Sequence, residues 1–180
     1  MPKTRREVER EDKVAEILEA AERQLRAGGY EALSVAGVSR ELGIAQNSVY
    51  WYFPSKDHLF VAALQRMFGK IVANKPPAHR GLMNEVLWFV DQLHELYPLR
   101  AAMREQARRS EVVAGFERQL DDTLRLMLTN ALRPHVPAKV LPSGVDAFNA
   151  TVQGTYVQSM DQAERRRLLR FTFERLFGKV

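Results

Sequence analysis

Gln46, Asn47 and Ser48 stand together at the start of a short helical pattern, Ala45–Tyr52, read AQNSVYWY. A Gln or Asn amide pairs a donor with an acceptor, the combination that meets the N6/N7 edge of adenine with two hydrogen bonds. A Ser hydroxyl suits either a phosphate or a base. At the leading end of a helix such groups point toward whatever the helix enters. No acid lies within the pattern, and between Ser34 and Lys56 the one acid is Glu41. The chemistry on offer is hydrogen bonding to the edges and backbone of a duplex, with no bond made or broken.

Those residues need a scaffold that presents them. Leu42-Gly43-Ile44 is a turn between two helical patterns, and Gly43 sits where the chain must reverse. Val38, Leu42, Val49 and Phe53 are spaced to wedge both helices against an earlier one, whose stripe is Val14, Ile17, Leu18, Ala21 and Leu25. Gly28-Gly29 ends that earlier helix and Ser34 caps the next. Two short helices about a glycine turn form a helix-turn-helix, whose second helix enters a major groove.

The remainder is helical too, and nothing in it reads as strand. Ser55 caps a long helix carrying Phe60, Ala63, Leu64, Met67, Phe68 and Ile71. Asn74-Lys75-Pro76-Pro77 is the clearest boundary, since two prolines do not continue a helix interior. Further stripes follow: one from Leu82 to a stop near Pro98, one over Leu99–Arg109, and one opened by Ser110 that runs to Ala131. Pro134, Pro137 and Pro142 mark an extended loop. Ser143-x-x-Asp146 and Asp161-x-x-Glu164 are capping signals for the last two helices, about Ser143–Met160 and Asp161–Phe177, with Gly178 closing the second. The fold class is all-α, with about nine helices.

Composition narrows the partners. The net charge is +5, yet residues 1–70 hold eleven Lys and Arg against ten Asp and Glu, so the favourable surface for an anion is the local stretch Ser34–Lys56. There are no cysteines, which removes disulfides and thiolate metal sites and suits a reducing cytoplasm. The charged N-terminus has no apolar core of a secretory signal, and no apolar run approaches the roughly 20 residues of a membrane span. The four histidines show no metal-ligand spacing, and no glycine-rich phosphate loop is present, so neither cofactor nor metal is expected. Arg165-Arg166-Arg167, beside Glu164, reads as a solvated face.

From about Asp12 to Leu59 the chain resembles the DNA-binding domain of the TetR family of bacterial transcriptional regulators. The matching pieces are Ile17–Ala21, Gly29-Tyr30, Leu33-Ser34-Val35, Leu42-Gly43-Ile44, Val49–Phe53 and Ser55-Lys56, in the family's order and spacing. The remaining two thirds match in helix order and length only. The resemblance implies that Ser34, Tyr50, Tyr52 and Lys56 reach phosphates beside Gln46, Asn47 and Ser48. It implies residues 1–55 as the DNA-binding domain, 56–75 as a connecting helix, and 76–180 as an effector-binding and dimerisation domain. It further implies a homodimer joined through the last two helices, with Val152, Gly154, Tyr156, Leu169, Phe173 and Leu176 at the interface and Ala150 aiding close approach. Trp88, Phe89, Met103, Phe116, Met127 and Phe148 would line an effector pocket, suited to a small apolar or aromatic molecule.

Trp51 reads as core or helix packing, and Arg5 and Arg6 as a solvated tail, with a minor-groove arm as the alternative. The sequence departs from the family pattern at Ala36, at Asn47 and at Gly37, a mid-helix glycine that costs about 1 kcal/mol relative to alanine. The expected function is a ligand-responsive regulator, a cytoplasmic repressor on a palindromic double-stranded operator. The rival readings are an activator, a ligand-independent regulator, or an all-helical carrier or enzyme with a vestigial reading head. No catalytic dyad supports the last.

Overall fold

The structure, a computed structural model, describes residues 4–74, 81–158 and 160–178, and of Arg6 the backbone alone. The Lys75-Pro76-Pro77 boundary and the side chain of Arg6 therefore lie outside the described residues. Among those described there are nine helices and no strand: α1 Arg5–Ala32, α2 Val35–Leu42, α3 Gln46–Tyr52, α4 Lys56–Ala73, α5 Leu82–Glu95, α6 Tyr97–Ala107, α7 Glu111–Leu132, α8 Leu141–Val157 and α9 Gln162–Phe177. None is long and apolar enough to cross a membrane.

The helices divide into two compact units. The first holds α1–α4 together with Pro98–Glu117. Thr4 starts α1 with a capping box: its hydroxyl accepts from the Glu7 backbone while Glu7 reaches back to the Thr4 N–H. The tail expected at Arg5 is thus the first turn of a helix, and Arg5 pairs with Glu9 at 2.9 Å. The glycine break falls where the sequence places it, with Gly29 at φ 67° and a short turn after it to Ala32. Ile17, Ala21 and Leu25 of α1 are buried, as are Leu59, Phe60, Ala63, Leu64 and Met67 of α4, which packs along α1. Charges stitch the same pair: Arg66 donates to Glu19 at 2.6 Å and to the Ala15 carbonyl at 3.0 Å, and Lys70 reaches Glu22 at 2.7 Å.

The second unit holds α5 through Tyr97 and the chain from Arg118 onward. Its core gathers Leu87 and Val90 of α5, Leu132, Val136, then Val145, Phe148 and Val152 of α8, and Leu169, Phe173 and Phe177 of α9. Phe148, Phe173 and Phe177 meet edge-on, with centroids 4.9 to 6.3 Å apart. Phe177 presses on Gly144, where a Cβ would lie 2.6 Å from a ring carbon. Here the sequence expectation needs correcting. α8 begins at Leu141, two residues before Ser143, with Pro142 in its first turn and no side-chain cap. Arg125 of α7 pairs with Asp146, the acid expected to complete that cap. Asp161 does form its capping box with Glu164.

The arginine run is also corrected. Arg165 is only 3% exposed and donates to Asp91 of α5 at 2.8 Å, and Arg166 donates to the other oxygen at 2.6 Å. Gln162 adds a third bond at 3.0 Å. Burial pushes the Asp91 carboxyl up, but these donors outweigh it and hold the carboxyl below its ordinary value. Arg165 alone of the three is withdrawn from solvent; Arg166, though paired, and Arg167 are exposed.

Candidate nucleic-acid interface

α2 is set by a relay of hydrogen bonds. The Gln24 side-chain oxygen accepts from the Ser34 N–H at 3.0 Å, and the Ser34 hydroxyl accepts from the Gly37 N–H at 2.8 Å. Gly37 makes this possible, because a Cβ there would fall 2.7 Å from Ser34 Oγ and 2.9 Å from Gln24 Nε2. Its helix-propensity cost thus admits a cap. Gly43 closes α2 in the left-handed region, φ 65° and ψ 29°, with its N–H and that of Ile44 returning to Ser39 and Arg40 carbonyls. The chain then enters α3 with no side chain capping its first turn.

In α3, Val49 is fully buried, and Phe53 just beyond it is buried too. That fixes the helix's rotation and leaves Gln46, Asn47, Ser48 and Tyr50 exposed, with Tyr52 half-buried. Ser34 is exposed at the head of α2. Glu41, the lone acid of this stretch, is engaged by Arg23 of α1 at 2.6 Å. The surface carrying the amides is therefore free of unmatched negative charge.

Ser55 caps α4, accepting from the His58 N–H at 3.3 Å and meeting the His58 ring Nδ1 at 2.8 Å. Lys56 follows, its ammonium 4.0 Å from the centre of the Tyr30 ring. Tyr30 in turn donates its phenol proton to Asp57 at 2.6 Å and packs edge-on against Phe60 at 4.9 Å. Burial, then the bond to Asp57, raises the phenol above its ordinary range, so it stays a donor. Tyr30 was legible only as part of a motif. Its role in seating Lys56 depends on a partner 27 residues away, which no local pattern reveals.

Trp51 departs from expectation. It is not core: 68% of it is exposed. It meets Tyr52 edge-on at 4.7 Å, and the Arg10 guanidinium of α1 lies over it at 5.2 Å.

The residues expected at a pocket are drawn from both units. Met103 and Phe116 are buried and belong to the first unit, whereas Trp88, Phe89, Met127 and Phe148 belong to the second. Phe148 is fully used in the α8–α9 aromatic core, while Trp88, Phe89 and Met127 keep part of their surface. Of the interface residues, Val152, Tyr156, Leu169 and Phe173 are buried within the chain's own core, and a side chain already buried has no area left for a partner. Leu176 is half-buried, and a Cβ at Gly154 would meet nothing within 4 Å. What this unit turns outward is Val157, 72% exposed, with Leu126 and Phe171, each 58%.

An exposed, acid-poor recognition helix on a glycine-turned pair defines the helix-turn-helix class of DNA-binding head. Residues 17–63 match the family model described as bacterial regulatory proteins, tetR family. Over those residues the head has the sequence pattern of that family, and the chain as a whole has the fold of the solved structures described below. The HTH-type transcriptional repressor KstR of Rhodococcus jostii (strain RHA1) is 36% identical over 78 residues, 43% of this chain and 37% of the relative. The match thus spans little more than a third of that curated relative's length. A transcriptional regulator from Rhodococcus sp. Rha1 superposes with a TM-score of 0.75 at 19% identity, over 93% of this chain and 98% of the other. A regulator from Saccharomonospora viridis, solved in complex with choline, gives 0.71 at 17% identity, over 91% and 96%.

Proposed function

We propose that this protein is a dimeric, ligand-responsive DNA-binding regulator, a cytoplasmic repressor that leaves a palindromic operator when a small apolar or aromatic effector binds. The observation that carries the reading is the seating of α3. Val49 is turned into the core and Gln46, Asn47 and Ser48 are turned out at the leading end. The amides read base edges in the major groove. Ser34, Tyr50, Tyr52 and Lys56 hold the backbone on either side and set the register. The repressor relative that shares the head supports the DNA-binding part of this reading.

One head reads too few base pairs to find an operator, so two must act together, and two-fold symmetry then makes the operator palindromic. The α8 and α9 faces bearing Gly154, Val157, Phe171 and Leu176 supply the contact with the second copy. The effector belongs to the second unit, where Trp88, Phe89 and Met127 retain surface for an apolar guest. The structural neighbour that binds choline shows that a protein of this fold holds a small molecule. An effector that prefers a spacing of the two reading helices unsuited to DNA lowers operator affinity by its differential binding.

The test is selection from a random duplex pool with the purified protein. The expected product is an inverted repeat whose half-sites lie about one turn apart, roughly 34–36 Å, bound more weakly as salt rises. A pool that emerges without enrichment, or binding indifferent to salt, would overturn the reading.

A further inference from the structure

We infer that Arg10 of α1 is a DNA-contacting residue, held by the exposed face of Trp51 so that its N–H groups meet a phosphate beside the bases read by α3. The inference rests on the DNA-binding reading above and extends the interface to a helix outside the helix-turn-helix.

Three observations converge. The first is the company Arg10 keeps. Five other cations of this unit, though not all of them, are matched to carboxylates: Arg5 to Glu9, Lys13 to Glu16, Arg23 to Glu41, Arg66 to Glu19, Lys70 to Glu22. Arg10 is exposed and has no carboxylate partner among the described residues; its contact is the Trp51 ring, 5.2 Å away. The second is geometric. The Arg10 guanidinium carbon lies 5.2 Å from the Trp51 ring centre, and a guanidinium attracted to a ring face still has N–H groups left for an acceptor. The contact biases the side chain toward the α3 surface before the phosphate arrives. The third is Trp51 itself, a large apolar side chain 68% exposed on the helix that carries Gln46, Asn47 and Ser48. Trp and Tyr, each with an apolar body and a polar tip, suit surfaces that become covered on binding, and Tyr50 beside Trp51 is also 45% exposed. The pair presents an apolar plate with a cationic edge, a shape that suits a sugar-phosphate strand better than open water.

A brace between α1 and α3 is the rival explanation, and salt separates the two. A mixed-sequence 30-base-pair duplex is titrated with wild type, Arg10→Met and Arg10→Lys across a range of NaCl concentrations, with folding checked by circular dichroism. If Arg10 meets a phosphate, Arg10→Met weakens binding several-fold at low salt. It also flattens the dependence of log K on log salt by about 0.9 for each arginine lost. Arg10→Lys keeps the slope, because it keeps the charge. If Arg10 is a brace only, Arg10→Met lowers the melting temperature and leaves the slope where it was, and the inference is overturned. Wild type that binds no DNA at all is a separate outcome: it defeats the regulatory reading and takes this inference with it.

Discussion

Gln46 and Lys56 are proposed to make two kinds of contact that one experiment can tell apart. Gln46 heads α3, exposed, with an amide suited to an adenine edge. Lys56 lies at the start of α4, held over the Tyr30 ring, and offers a charge with no sequence preference. Gln46→Ala is expected to change the ranking of sequences in a binding-site selection, with a loss of about 1–3 kcal/mol on the preferred base. Lys56→Ala is expected to weaken all sequences alike and to reduce the salt slope by about one. A Gln46→Ala profile identical to wild type would remove Gln46 from the base-reading set. At this level the sequence was legible where the signal is local. The Gly43 turn, the Ser34 cap and the exposed amides all follow from neighbours within a few residues. Gly37 was misread as a simple cost because the reason for it, the Gln24 side chain, arrives from another helix. Trp51 was misread because periodicity ranks a tryptophan as core regardless of which face it occupies.

Helices were found from their stripes, but their ends obeyed chemistry that the stripes do not carry. α9 starts at its capping box as read, whereas α8 starts at Leu141 and draws Pro142 into its first turn. The arginine run of α9 belongs to α5 as much as to solvent, because Asp91 sits 74 residues away in sequence and 2.8 Å away in space. Beside that clamp, His94 of α5 stacks on Tyr97 at 6.4 Å and on Tyr156 of α8 at 5.5 Å. Burial depresses the imidazole below its ordinary 6.5, Arg165 pushes it the same way, and Asp91 opposes them. The unfolded chain therefore takes up this proton first as pH falls. The stabilising contribution of neutral His94 is complete above about pH 6.5 and is lost progressively below it, down to the depressed folded value. Urea unfolding at pH 7.5 and 5.5 should show wild type weakening with acid and His94→Phe, which keeps the stacked ring, weakening less. Equal acid sensitivity in both proteins would assign the effect elsewhere.

For the molecule as a whole, the proposed function requires two copies, and the chain keeps its core residues for itself. Leu169 and Phe173 are spent inside the second unit, so the joint must use what α8 and α9 leave outside. Phe171, 58% exposed with Arg175 stacked 5.3 Å above it, is the largest such group on α9. Phe171→Glu is expected to shift the sedimentation of the protein from dimer toward monomer and, with it, to lower affinity for a two-half-site duplex far more than for a single half-site. Unchanged sedimentation would move the joint to another face. Sequence periodicity could not have made this distinction, since inward and outward apolar residues of one helix look alike until a partner helix takes one side.

The two tryptophans fall one to each unit, Trp51 in the first and Trp88 in the second. The indole on α3 faces water, and the one on α5 is partly enclosed. Their emission colours should differ accordingly, and replacing either with phenylalanine isolates the other. The molecule thus carries a separate optical reporter in each half, so a denaturation curve followed by colour reveals whether the halves come apart together or in turn.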